Sequence, residues 1–396
     1  MKYNGVVISD IHFGATDPIQ LNRELYEIFL KYLTNMKSLD FIIIDGDYFD
    51  HKLYLNEKVS AYAAGFMNSL IRIAESYKCP IRIVYGTDSH EVNQYGIFYD
   101  YIMNDSKDFK VIKTVEEEEL LPNMKVLYLP EEYILDKKDY YKDYLYSDKK
   151  YDYIFGHGIV NDVMKYNKPS DDTATTKSTR TKAPVFSVGE LSHSCDGQIY
   201  FGHYHIKSEI DNKFFYVGSF SRWIHGESEA KGFYHITYDT DKKKFSQKFI
   251  ENVLAKRFVT FTYSYDSDVI KNEENLLEEL SKKDKLVNAE DTDNVRYIFN
   301  IPENHPNPEF IMNILNERYK FNNNIKFKVV NGYVEKKKKI NKKKLNELLS
   351  EYPFVFDKSQ KLENKVEYFI KKRYNYDIET SHVIDILYDK NEDESD

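Results

Sequence analysis

Carboxylates and imidazoles are the side chains that hold hard and borderline divalent cations, and this chain sets them in short, ordered clusters. Asp10 and His12 stand in Asp-Ile-His, and Asp47 and Asp50 in Gly-Asp-Tyr-Phe-Asp. His90 lies in Gly-Thr-Asp-Ser-His-Glu, His157 closes Tyr-Asp-Tyr-Ile-Phe-Gly-His, and His203 and His205 lie in Gly-His-Tyr-His. Five of the eleven histidines fall in these clusters. The i, i+2 spacing of His203 and His205, and of Asp10 and His12, predicts two donors on one face at a strand end. A single strand-end aspartate ordinarily caps a turn, and a single histidine ordinarily packs. The repetition is what points to a metal centre. Imidazole and carboxylate without thiolate suit Mn²⁺, Fe or Zn²⁺ over a soft metal. Two cations held about 3.5–4 Å apart need a shared anionic ligand, and Asp47 is the candidate bridge.

The elements that must position these residues follow from periodicity. Residues 5–9, 41–45 and 81–86 read as buried strands, separated by helices over 17–36 and 56–78. Asp17 and Pro18 supply an N-cap and a first-turn proline, and Leu21, Leu25, Phe29, Leu30 and Leu33 repeat at helical spacing. Such β-α-β-α-β order predicts a largely parallel sheet in an α/β fold. Strands are then expected at 125–130, 151–157, 198–205, 213–220 and 232–239, with a long polar loop at 167–184 and a solvated loop at Glu116–Glu119. Each cluster sits where a strand runs out, the place where open α/β sheets bind ligands.

With 396 residues, 41% apolar and 31% charged, the chain predicts two or three globular domains. We read residues 1–250 as the main domain, 251–334 as a small αβ domain, and 335–396 as a basic linker, a helical partner-binding region and an acidic tail. The linker holds seven lysines within 336–344, either a solvated run or a phosphate-backbone contact. Arg180 and Lys182 carry the same two readings. Net charge is −9, which argues against a protein held on nucleic acid by bulk charge. No stretch approaches a membrane span or a signal peptide, and the two cysteines form no disulfide framework. The expectation is a cytoplasmic protein, bacterial or in a virus-infected host, with no membrane partner.

The series D-x-H, G-D-x-x-D, G…H-[DE], G-H and G-H-x-H over residues 1–225 resembles the calcineurin-like metallophosphoesterase superfamily. The stretches at 183–205 and 218–233, the appended αβ unit and the C-terminal helix pair make the chain similar, within it, to the SbcD-type (meiotic recombination eleven) DNA repair nuclease subunit. The resemblance implies a layered αββα core with a small αβ capping domain and C-terminal helices. It implies two divalent metal ions, Mn²⁺ first and Mg²⁺, Fe or Zn²⁺ after it. Asp10, His12 and His205 would hold one, His157 and His203 the other, with Asp47 bridging. It casts His90 as the proton donor to the leaving 3′-oxygen and Asp50 as the carboxylate that orients it. The family reads G-N-H-[DE] where this chain has two extra residues; Ser89 stands at the asparagine's place, to be filled by Ser89, Asp88 or a water. The implied activity is an exonuclease, and a single-strand endonuclease, acting on DNA in replication, recombination or repair. The implied partners are DNA and an SbcC-type coiled-coil ATPase docked on the helices over 341–375, in a heterotetramer built on a homodimer. The alternatives are a phosphatase or phosphodiesterase of the same superfamily, and a catalytically weak scaffold that binds DNA or the ATPase.

Overall fold

Apolar residues on both faces of the first strands require cover from both sides. A computed structural model describes residues 1–54, 56–96, 108–163, 182–264, 267–289, 293–301, 309–330, 354 and 360–374. Strands β1 (Lys2–Ile8), β2 (Phe41–Asp45), β3 (Ile81–Val84) and β4 (Phe109–Ile112) lie side by side and parallel. Next along the chain come β5 (Glu116–Leu121), β6 (Met124–Leu129), β7 (Tyr151–His157), and the short pair β8 (Ile159–Val160) and β9 (Val185–Phe186). They are followed by β10 (Cys195–Gly202), β11 (Ser208–Ile210), β12 (Phe214–Tyr216), β13 (Gly232–Asp239) and β14 (Lys244–Glu251). One six-stranded sheet runs β14-β13-β1-β2-β3-β4 and a second runs β11-β12-β10-β7-β6-β5. In the second, β6, β7, β10 and β12 are mutually parallel.

Strand alternation sorts the core. Val6, Ile8, Ile42, Ile44, Ile81 and Ile83 pack with Leu21, Phe29, Phe66 and Leu70 of the helices. Val7, Phe41, Ile43 and Val84 face the other way and pack with Val126, Tyr128, Tyr153, Phe155 and Tyr200 of the second sheet. That sheet's outer residues Leu127, Ile154, Ile199 and Phe201 meet Leu191 of the helix Val188–Ser194. The first helical stretch opens as α1 (Pro18–Glu24), with the Asp17 carboxylate accepting from the Ile19 amide, and continues through a π-helical segment, Leu25–Leu30, into α2 (Lys31–Thr34). The second helix is α3 (Lys58–Tyr77).

The elements expected beyond residue 251 form: β15 (Arg257–Tyr263), a helix at Glu273–Asp284, β16 (Asp293–Asn300), a helix at Glu309–Tyr319 and β17 (Ile325–Val330), giving a three-stranded sheet. The chain divides into two compact units, one of residues 1–263, 267–299 and 310–328, the other of 264–266, 300–309 and 329–396. In the second unit the helix Leu362–Tyr374 is described, with Phe354 and Tyr368 rings 5.0 Å apart. The lysine run, Leu345 and Leu348, the acidic tail and Arg180 lie outside the described residues, while Lys182 pairs its backbone with Ile134. No described helix is long and apolar enough to cross a membrane. Both cysteines are free and buried.

Two expectations change. Glu116–Glu119, read as a loop, begins β5 at the edge of the second sheet. Its charges are matched: Arg82 donates to Glu118 at 2.7 Å, Tyr128 to Glu118 at 2.7 Å, and Lys149 to Glu117 at 2.7 Å. Charge on an edge strand blocks further pairing, which periodicity alone does not reveal. Second, β10 stops at Gly202 and β1 at Ile8. The histidine pair and the Asp10–His12 pair therefore lie past their strands, and the same-face argument fails for both.

Candidate metal centre

Past the strand ends the backbone turns left-handed at residues that ordinarily avoid that conformation. Asp10, His12 and Asp47 have φ of 48°, 50° and 47°, and His203 has 101°. Non-glycine residues in this region each cost on the order of 1 kcal/mol or more and cluster at functional sites. The strain is offset by stitching. Asp10 N–H donates to the Gly46 carbonyl at 3.1 Å, His12 N–H to Asp47 at 3.0 Å, and Phe13 N–H to Tyr48 at 2.9 Å. The loops after β1 and β2 are thus fixed to each other. Across to the second sheet, Glu131 N–H donates to the Tyr85 carbonyl at 3.1 Å, and His203 N–H to Asp10 Oδ1 at 3.1 Å.

Four overlapping groups of donors result: Asp10 with His12 and His205; Asp10 with Asp47 and His157; Glu131 with His157 and His203; and His12 with Asp50 and His90, the ligand atoms of each within 4.8 Å of one another. Asp47 Oδ2 lies 3.2 Å from His157 Nε2 and 3.5 Å from His12 Nε2, so one carboxylate oxygen faces imidazoles of two groups. His203 and His205, one residue apart, serve different groups, and the backbone turns left-handed at His203.

The imidazoles are oriented from behind. His157 Nδ1 meets the Asp45 carbonyl at 2.8 Å, which makes Nδ1 a donor and turns Nε2 toward Asp47. His12 Nδ1 lies 3.3 Å from Asp50 Oδ1. Thr87 N–H donates to Asp47 Oδ1 at 2.7 Å. Gly86 leaves room for this: a Cβ there would lie 2.3 Å from both the Asp47 amide nitrogen and Oδ1. At Gly46, with φ of 80°, a Cβ would lie 2.1 Å from His157 Nδ1.

The electrostatics ask for positive charge. Burial alone would lower the His12 imidazole, but the carboxylates of Asp10, Asp50 and Asp47 around it carry it to about 10. His157 rises likewise against burial, through Asp47. His205, half-buried beside a charged His12, is pushed down to about 3 by desolvation and that neighbour. Burial would raise Asp47, yet His157 and His12 hold it well below the usual carboxylate range. Among the described residues no lysine or arginine pairs with Asp10, Asp47 or Glu131, whose ion-pair partners are histidines. His12 Nε2 and His203 Nε2 are buried with no hydrogen-bond partner. Buried carboxylates balanced only by imidazoles, with orphaned ring nitrogens among them, fit a divalent cation.

Ser89 is exposed on the one-turn helix Asp88–Glu91 and enters none of the groups. Asp88 is also exposed, and Tyr85 donates to it at 3.3 Å. That helical turn holds both side chains at the surface. Thr87 takes the inner position, its hydroxyl 3.4 Å from Asp47 Oδ2, 3.3 Å from Glu131 Oε2 and 3.5 Å from His157 Nε2. Asp50 also differs in role. Its backbone carbonyl contacts His90 Nδ1, while its carboxylate meets His12 Nδ1 and, at 3.0 Å, His51 Nδ1. Hydrogen bonds to His12 and His51 outweigh burial and hold that carboxyl at about 2.

Glu131, Thr87, Trp223 and Glu227 were not anticipated. Trp223 lies edge-on to His205 at 4.3 Å and tilted to His12 at 4.6 Å. Glu227 Oε2 accepts from the Trp223 amide at 2.8 Å, and Lys231 donates to the His205 carbonyl at 2.8 Å and to Glu227 at 3.2 Å. Glu131 lies just past β6, so the strand-end rule applied to the other clusters also covers it. His193, His225 and His235 stay outside the groups: His225 meets Thr260 at 2.9 Å, and His235 meets Tyr32 at 2.8 Å.

The sequence matches no model of a known protein family and no curated protein. Two solved structures align over 63% of this chain and all of their own length. One, the crystal structure of TT1561 of Thermus thermophilus, is 13% identical with a TM-score of 0.35; the other is 12% identical at 0.34. Likenesses at that level carry no argument about the site.

Proposed function

We propose that the chain is a two-cation phosphodiesterase of the metallophosphoesterase type, acting on DNA as the nuclease subunit of an SbcD-like complex. The observation that carries the reading is Asp47 Oδ2, set between His12 Nε2 at 3.5 Å and His157 Nε2 at 3.2 Å. Asp10, His12 and His205 would hold one cation, His157 and His203 the other, with Asp47 shared. The finer fold reading, an αββα layering, is supported by the apolar clusters on both faces of each six-stranded sheet. When bound, such cations supply Lewis-acid polarisation of the phosphoryl oxygens and activation of water.

The chain's own residues do the rest. The Asp45 and Asp50 backbone carbonyls fix His157 and His90 through Nδ1. That leaves His90 Nε2 as the atom that carries a proton to a departing oxygen. His90 is partly exposed, with its ring 4.8 Å from His12. It therefore stands at the edge of the donor cluster, where an incoming phosphodiester would pass. The Thr87 amide holds the bridging carboxylate in one orientation. DNA as substrate and an ATPase as partner rest on the sequence resemblance.

The test is cleavage of linear duplex DNA by the full chain with Mn²⁺, with bis-nitrophenyl phosphate and a phosphoprotein as competing substrates. Cleavage of DNA that stops on chelation is expected. His90→Ala is expected to lower it by about 10²–10⁴-fold, the worth of a positioned acid, while Mn²⁺ binding persists. Phosphoprotein hydrolysis without DNA cleavage, or inactivity even with the ATPase present, contradicts the reading.

A further inference from the structure

The second donor group contains a carboxylate that the motif pattern does not supply. Glu131 is 7% exposed and lies two residues past β6. Its backbone N–H is held by the Tyr85 carbonyl at 3.1 Å, and its Oε1 accepts from the Tyr133 hydroxyl at 3.2 Å. The other oxygen, Oε2, faces inward, 3.2 Å from His203 Nδ1 and 3.3 Å from the Thr87 hydroxyl. With His157 and His203 its ligand atom falls within 4.8 Å of the others. An independent observation points to a ligand here: His203 Nε2 is buried without a partner, on a side chain 8% exposed.

We propose that Glu131 is an anionic ligand of the second cation, in the place left by the displaced Asp88–Glu91 turn, making that site selective for hard divalent ions. This rests on the two-cation reading above. Thr87 fills the backbone position but offers only a neutral hydroxyl, a weaker donor than a carboxylate. A site of two imidazoles, the shared Asp47 and Glu131 carries two formal negative charges. Carboxylate oxygens favour Mg²⁺ and Mn²⁺, whereas a site with a neutral ligand at this place leans further toward Zn²⁺. The carbonyl tether to Tyr85 has a second consequence. It joins the strand tips of both sheets and fixes the Glu131 backbone beside the group.

The experiment counts Mn²⁺ on the full chain by room-temperature electron paramagnetic resonance titration, with no substrate present. The fluorescence of Trp223, the sole tryptophan, serves as a separate reporter of the His12–His205 group. Wild type is expected to bind two Mn²⁺. Glu131→Ala is expected to weaken one of them by about tenfold or more, on the scale of lost support at metal sites. The Trp223 response should stay at its wild-type midpoint, which also shows that the variant is folded. Glu131→Gln, which keeps an oxygen donor without the charge, should fall between and shift preference from Mn²⁺ toward Zn²⁺. Adding Thr87→Asn to Glu131→Ala should restore the second Mn²⁺ through an amide oxygen. Two Mn²⁺ of unchanged affinity in Glu131→Ala overturns the proposal. So does a second ion lost in Thr87→Val but kept in Glu131→Ala, which would make the hydroxyl the ligand. Because no substrate is used, the count stands whether or not the chain cleaves DNA.

Discussion

At the residue scale the centre depends on how Asp47 is held. Its carboxylate accepts from the Thr87 amide at 2.7 Å and faces two imidazoles. Gly86 presses on it so closely that a methyl group has no room, with 2.3 Å to Asp47 Oδ1. Gly86→Ala should therefore displace the Asp47 carboxylate and weaken both cations by about tenfold or more, measured by Mn²⁺ titration. A variant that binds two Mn²⁺ normally would show that the carboxylate moves freely. Asp10, His12, Asp47, His157, His203 and His205 were legible as donors from residue type and strand-end position. Glu131 and Thr87 were not. Neither is a histidine, and motif position points to Ser89 for the remaining ligand. The one-turn helix Asp88–Glu91 changes which residue faces inward, and spacing alone does not show that.

At the scale of elements, the strands and helices that carry the site were largely readable. The strands Phe41–Asp45, Tyr151–His157 and Gly232–Asp239 match their expected bounds because apolar runs between turn residues leave few choices. The edge strand β5 escaped because the cations that pair its carboxylates, Arg82 and Lys149, come from distant sequence. The strand end was also overrun at His203–His205, since β10 stops at Gly202. Apolar content does not report where a left-handed turn begins. Two substitutions test the helices that brace β1 and β2. Removing the Asp17 cap in Asp17→Ala should cost about 1 kcal/mol, read as a lower denaturant midpoint with unchanged slope. Gly65 lies inside α3 with nothing within 4 Å of a Cβ. Gly65→Ala should therefore stabilise by about 0.5–1 kcal/mol in the same assay. A loss of stability there would mean that α3 packs differently.

At the scale of the whole molecule, the donors come from strand tips far apart in sequence and from both sheets, so the centre forms only in the folded chain. Cations that bind the native state and not the unfolded one must then stabilise it. Mn²⁺ at a hundredfold excess over its Kd should add about 2.7 kcal/mol per site and raise Tm, an effect that EDTA removes. Asp47→Asn should lose most of the shift, and an unchanged Tm in wild type would mean that the group does not bind. The strand–helix alternation after residue 251 was legible, but the compact units do not divide there: residues 1–263 fall in one unit with 267–299 and 310–328. The acid–base balance of the centre was not legible, because buried charge depends on which loops meet.

The most direct measurement is anomalous diffraction from crystals of the full chain soaked in Mn²⁺. Two anomalous peaks are predicted, one on either side of Asp47, with Asp10, His12 and His205 around the first and His157, His203 and Glu131 around the second. No peak at Asp47, or a single peak with Asp47 ligating nothing, would contradict the two-cation centre.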